Sequence, residues 1–238
     1  MAGNSPTIRV PAAREGPVGS GNGGWAAACL AALSADPLTI GIRAPIPLDV
    51  ELDVVVVSGG LDVVDGSEII LEGRQWEPDY ADTAPVSIEA AIEARNRFAW
   101  PGDTHPAPQC FSCGTQPTSM NVQAGQLDDG RFATDWTVPQ WSIRSDGSVD
   151  DDALWAAIDC TAAWFACGEG DHRRTAFTVQ FACEVIEPLV GGETYALVGW
   201  AGDWGQDWDG RKRSAASAAF DRDGRCVARS RSFWVALD

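Results

Sequence analysis

The feature that most constrains the fold is an internal repeat. Residues 23–57, GGWAAACLAALSADPLTIGIRAPIPLDVELDVVVV, run parallel to residues 154–200, LWAAIDCTAAWFACGEGDHRRTAFTVQFACEVIEPLVGGETYALVGW. Each copy has an Ala-rich helical stretch opening on Trp-Ala-Ala, then a strand, then a turn at Pro-Leu (Pro47-Leu48 and Pro188-Leu189). A second strand rich in Val or Tyr follows. A recurring segment of this size is one supersecondary unit, so the chain is expected to hold two copies of one module.

The strands of the module show a period of two. Val50, Leu52, Val54 and Val56 fall on one face, with Glu51, Asp53 and Val55 on the other. The turn VVDGSE, with Asp65-Gly66 at its centre, predicts a hairpin into EIILEGRQW. RSAASAAF, the turn DRDGR and CVARSRSFWVAL predict a long terminal hairpin. Each half then reads as one helix plus an antiparallel meander, an α+β layer arrangement in which the helix covers one face of the sheet. Between the halves the chain is rich in Pro and polar residues, with one short amphipathic helix around Ser87 to Phe98. The organisation expected is a first unit at 1–76, a linker at 77–118 and a second unit at 119–238.

Composition narrows the partners. With 238 residues, 45% of them hydrophobic, the chain can bury a sizeable core. A net charge of −17 makes nucleic acid and anionic membrane surfaces poor partners. No stretch approaches the roughly 20 apolar residues that span a bilayer, and MAGNSPTIRVPAAREGPVG lacks a basic end followed by an apolar core. Seven cysteines, an odd number, fit reduced thiols better than a disulfide framework. The expected setting is cytoplasmic.

Two copies of this unit, the first helix entered through GNGGW and the last strands reading DGRKRSAASAAFDRDGRCVARSRSFWV, resemble the double hot-dog proteins of the acyl-CoA thioesterase superfamily. The resemblance covers most of the chain outside residues 77–110, and its most specific part is the terminal hairpin. It implies a tandem (double) hot-dog, each half a curved antiparallel sheet wrapped around one long helix. Thioesterases, acyl-thioester dehydratases and hydratases, and proteins without known catalysis all share that fold, so function has to come from the site.

The second helix, LWAAIDCTAAWF, carries the main candidate. Counting from Trp155, Ile158, Asp159, Ala162 and Ala166 fall on one stripe, which puts a carboxylate on the buried face. A buried acid is either a core group satisfied by Ser, Thr or backbone N–H, or it faces a cleft. The resemblance implies the second, with Asp159 as general base or nucleophile in thioester hydrolysis. The stretch GSGNGGW, read alone, is a Gly-rich turn with Asn22 as helix cap. With the resemblance, Gly23 and Gly24 supply first-turn amides to an oxyanion, Asn22 either caps the helix or faces the substrate, and Trp25 and Trp155 are apolar substrate contacts. The second helix starts on VDDDALW, whose acids would repel an anionic intermediate, and Cys29 stands where the second helix has Asp159. One working site is therefore expected, with Gly23 and Gly24 facing Asp159 across the two halves.

Arg211, Lys212 and Arg213, and separately Arg173 and Arg174, are either phosphate-holding groups for coenzyme A or an acyl carrier protein, or solvated strand ends. Eleven tryptophans, including Trp200, Trp204 and Trp208, read as a pocket wall or as core. Cys110 and Cys113 form a Cys-x-x-Cys pair downstream of His105. A structural zinc needs four ligands and no second such pair follows, so the pair reads as a linker turn and no metal is expected. Cys160 lies about 100° round the helix from Asp159, and no His is placed as its base.

The leading expectation is hydrolysis of acyl-CoA or acyl-carrier-protein thioesters, with no cofactor beyond the coenzyme A of the substrate. A dehydratase or hydratase would want an Asp/His pair that the sequence does not offer in a motif, and a non-catalytic acyl-thioester or lipid binder is the third reading. With two units in one chain, either a monomer or a homodimer is compatible.

Overall fold

The computed structural model describes residues 6–75, 79–100, 104–168, 173–202 and 211–237. Both copies of the repeat contribute to one antiparallel sheet. Its strands are β1 (Thr7–Ile8), β2 (Leu38–Ile42), β3 (Leu52–Val57), β4 (Gly60–Asp65), β5 (Glu68–Gln75), β6 (Gly125–Gln126), β7 (Phe132–Thr137), β8 (Ala176–Val185), β9 (Thr194–Ala201), β10 (Lys212–Phe220) and β11 (Cys226–Ala236). Their spatial order is β1-β3-β4-β5-β2-β8-β11-β10-β9-β7-β6. Outward from the centre, β2-β5-β4-β3-β1 in the first half matches β8-β11-β10-β9-β7 in the second. In each half the strand after the helix lies at the centre, and the strand before the helix pairs with the first strand of the meander. The halves meet edge to edge, with Ile40 opposite Phe181 and Gly41 opposite Gln180.

The helices are α1 (Gly23–Ala31), α2 (Ile88–Arg95) and α3 (Asp151–Cys167). α3 touches β7, β8, β9, β10 and β11, so the second half of the sheet wraps around it, and α1 lies against α3, β2, β5 and β8. This arrangement is a tandem hot-dog. Core side chains at the junction are large and closed to solvent, among them Leu30, Ile40, Leu154, Ile158, Trp164 and Phe181. Each contributes about 1.5–3 kcal/mol by leaving water.

Local chemistry sets the helix ends. The Asn22 side chain accepts from the Trp25 N–H, a cap that contributes about 1 kcal/mol to α1. α1 is nine residues long, against 17 for α3, so the expectation of a long helix in each half holds only for the second. The cause is Ser34-Ala-Asp36-Pro37: the Ser34 hydroxyl accepts from Asp36 N–H, and Pro37 disfavours helix at the residue before it. α3 ends at Gly168, whose φ of 73° is a left-handed conformation that suits glycine.

The hairpins occur where the turns predicted them, β4–β5 through Asp65-Gly66 and β10–β11 through residues 221–225. The buried face of β3 stops earlier than its alternation suggests, because Val56 is 76% exposed. The segment between the halves is not a bare connection. α2, capped by Ser87, lays Ala91 and Ala94 on the outer face of the second half against Ala133, Ala196, Val198 and Phe220. Residues 110–113 are buried in the central core. No helix among the described residues is long and apolar enough to cross a membrane.

Candidate active site

Asp159 lies at the centre of α3 and is 2% exposed. Both carboxylate oxygens are held: Oδ1 accepts from the Thr178 hydroxyl of β8 at 2.9 Å, and Oδ2 accepts from the Gly24 N–H of α1 at 3.2 Å. Burial pushes its pKa up to about 7, which the Thr178 and Gly24 donors counter and the nearby Cys110 reinforces. The two alternatives for a buried acid are met together, because the satisfied carboxylate also forms part of a cavity wall.

That cavity has a volume of about 560 Å³, within the roughly 300–1,000 Å³ of small-molecule sites. It lies where the two halves meet and runs from Asp159 towards the C-terminal end of α3, past Ala163, Trp164 and Cys167. Gly23, Ile42, Phe177 and Trp234 also line it. The lining is mostly apolar, and Arg43 is the one cationic residue among the described residues that form it. The Arg43 side chain is about half exposed and pairs with Glu72.

The glycines at the start of α1 divide their work. A Cβ on Gly24 would come within 2.5 Å of the Trp155 carbonyl oxygen and 2.8 Å of Asp159 Cβ, so glycine is what lets α1 approach α3. Its N–H is committed to Asp159. The Gly23 N–H is a first-turn amide with no hydrogen-bond partner among the described residues, and Gly23 lines the cavity. Asn22 is the helix cap: its Oδ1 faces Trp25 N–H at 2.9 Å, and its Nδ2 lies 3.7 Å from the sulfurs of both Cys110 and Cys160.

Three thiols adjoin the carboxylate. Cys110, Cys113 and Cys160 are buried, line the cavity and have their sulfurs within 4.8 Å of one another. The S–H groups of Cys113 and Cys160 hold the Cys110 thiol well below the ordinary range, at the expense of their own ionisation. His105 is buried nearby, but both ring nitrogens are used: Nδ1 accepts from Ala107 N–H, so Nε2 donates to the Cys113 carbonyl at 2.8 Å.

Other expected residues lie elsewhere. Trp25 packs edge-on against Phe111 and beside Trp141, and Trp155 packs edge-on against Phe181, both in the core and outside the cavity wall. Arg213 is 4% exposed and donates to the Ala166 carbonyl at the end of α3, where a cation suits the helix dipole. Arg211 donates to the Ala236 carbonyl, and Lys212 is exposed on β10. These three are not part of the cavity. Arg173 donates to the Ala99 carbonyl and stacks on Trp100. Trp204, Trp208 and His172 lie outside the described residues. Sequence reasoning did not single out Thr178 or Arg43. Thr178 stands at the start of the strand that follows α3, a place where a hydroxyl could have been sought as partner to the helix acid.

No protein-family profile matches the sequence, and no curated protein matches it. Solved structures similar to it include smu.793 of Streptococcus mutans, bound to acetyl CoA, at 13% identity, covering 48% of this chain and 86% of that one with a TM-score of 0.41. BH2602 of Bacillus halodurans, with CoA, is 13% identical over 51% of this chain and 77% of that one, TM-score 0.43. The E. coli PaaI protein from the phenylacetic acid degradation operon is 16% identical over 45% and 73%, TM-score 0.39.

Proposed function

We propose that this tandem hot-dog protein hydrolyses acyl thioesters carried on coenzyme A or on an acyl carrier protein. The observation that carries the reading is that Asp159 and the Gly23 amide, which has no hydrogen-bond partner among the described residues, stand on the wall of one largely apolar cavity. The acyl chain lies along the apolar wall, with the thioester carbonyl at the Gly23 N–H. Asp159 accepts a proton from water as the water attacks the carbonyl carbon. The oxyanion that forms is stabilised by the Gly23 N–H, aided by the positive end of α1. Collapse breaks the carbon–sulfur bond, and the proton returns from Asp159 to the leaving sulfur. Both Asp159 oxygens are anchored, by Thr178 and Gly24, which suits a fixed base better than a nucleophile that must travel to the carbonyl. Arg43, which pairs with Glu72, is the one cation among the described cavity residues that a phosphate of the carrier arm could meet. A hydratase is less well supported, because no histidine among the described residues lines the cavity.

The test is a panel of acyl-CoA substrates of graded chain length, followed by release of free thiol. Asp159→Asn keeps the shape of the residue and removes the base, and is expected to lower kcat/KM by about 10²–10⁴-fold. Turnover equal in the two proteins would sink the assignment of Asp159, and binding of acyl-CoA without turnover in either would sink the enzyme.

A further inference from the structure

The three cavity thiols are built more tightly than core packing of small side chains requires. Cys110 and Cys113 sit on a closed turn in which the Gly114 N–H donates to the Cys110 carbonyl at 2.8 Å. A Cβ on Gly114 would come within 2.4 Å of that carbonyl oxygen, so the turn requires glycine at 114. Ser112, between the two cysteines, donates to the Ala156 carbonyl of α3, and the Val122 N–H donates to the Ser112 carbonyl. His105 and Gln123 both donate to the Cys113 carbonyl. The turn is thereby fixed against α3, which presents Cys160 to it.

Asn22 gives an independent sign. Its Oδ1 accepts from Trp25 N–H, which sets the amide orientation and leaves the NH₂ aimed at the sulfurs of Cys110 and Cys160. A buried amide donor directed at two sulfurs is matched to acceptors, which thiolates are and paired thiols are only weakly.

We propose that Cys110, Cys113 and Cys160 form a three-thiolate site for a single thiophilic metal ion of the zinc class, with the fourth coordination position facing the cavity. Zinc–sulfur bonds of about 2.3 Å in a tetrahedron place sulfurs about 3.8 Å apart. The three sulfurs already lie within 4.8 Å of one another, so small side-chain rotations close the gap. Binding displaces the thiol protons, and the two Asn22 N–H groups then serve as the outer hydrogen bonds that thiolate ligands take. His105 is not a ligand, since its ring nitrogens are engaged, but it positions the turn. Counting ligands along the chain finds only two, because the third comes from a helix 47 residues beyond Cys113. A disulfide between the two cysteines of the turn would leave the Cys160 thiol beside the Asn22 amide with no anion for that donor to meet.

The test uses the reduced, metal-stripped full chain titrated with Co²⁺ and then Zn²⁺. The expected result is about one equivalent of Co²⁺ bound with an intense sulfur-to-cobalt charge-transfer band, bleached by Zn²⁺. Cys113→Ser and Cys160→Ser should each weaken binding at least 10–100-fold. Because either variant could fold poorly, X-ray absorption on the zinc-loaded unmodified protein provides a second reading. A shell dominated by sulfur at about 2.3 Å supports the site. A shell of nitrogen and oxygen alone, or no charge-transfer band from folded and reduced protein, overturns it. These readouts are metal content and ligation, and they do not depend on turnover.

Discussion

The N-termini of α1 and α3 occupy matching places in the two halves, yet they are built for opposite charges. α1 begins with Asn22, Gly23 and Gly24, no acid stands in its first turn, and its Gly24 amide meets the Asp159 carboxylate of α3. α3 begins with Asp151 and Asp152, and the residue that faces it from α1 is Cys29. Asp152 is pushed up to about 6 by burial and by Asp150, and Cys29 is pushed up to about 11 by burial and by Asp152. Where α1 opens on a cavity, the other end is filled: the Arg14 guanidinium lies over Trp25, Phe111 and Trp141. An oxyanion would be welcome at the first end and repelled at the second. The two ends of the duplicated fold thus differ in charge and in access, and among the described residues the cavity adjoins only the first.

Three substitutions probe this difference beyond the removal of Asp159. Gly24→Ala should have the largest effect on stability. At an open helical position alanine gains up to about 1 kcal/mol over glycine, but here its Cβ meets the Trp155 carbonyl and Asp159, and a loss of about 3 kcal/mol is expected from chemical denaturation. A gain would show that α1 and α3 do not touch as closely as described. Thr178→Val removes the donor to Asp159 Oδ1 at constant volume and should cost about 1.5 kcal/mol, with a fall in kcat larger than any change in KM. Equal loss in a protein already carrying Asp159→Ala, which has no acceptor for the hydroxyl, would mean that Thr178 acts elsewhere.

The smallest effect is expected at the closed end. Asp152 ionises in the folded protein at about 6, against an ordinary 3.8, so its ionisation withdraws stability as pH rises through that interval. The groups it faces are Asp150, Asp151, Arg14 and Cys29. Asp152→Asn should therefore stabilise at pH 7 by about 1 kcal/mol, allowing for partial solvent screening, and the gain should fade as pH falls from 6 towards 4. Thermal melts across that range check the sign.

Much of the frame could be read in the chain, because it rests on local rules. The Trp-Ala-Ala openings, the Asp65-Gly66 turn and the alternation in β3 are properties of neighbouring residues. Asp159 was legible for the same reason, as an acid on a helical stripe of apolar groups. What was hidden depends on residues brought together from a distance. Thr178 and Gly24 reach Asp159 from different elements, and the third thiol of the cysteine cluster belongs to another segment. The basic run 211–213 misled because a strand sends alternate side chains to opposite faces: Lys212 goes to solvent and Arg213 goes under the end of α3. Trp155 shares the stripe with Asp159 but lies one turn earlier, before the cavity begins.

The edge-to-edge joint of β2 and β8 has a consequence for how such a molecule can change. In a homodimer built from two single units, every substitution is made twice, so a group that improves one site alters its symmetry mate as well. Here the partner surfaces are encoded separately. Gly24 could be kept at one interface while its counterpart, Leu154, became a fully buried core residue. Fusion turns a symmetric pair of positions into two independent genetic variables, and the freed half can be given over to stability or to a second chemistry without taxing the first.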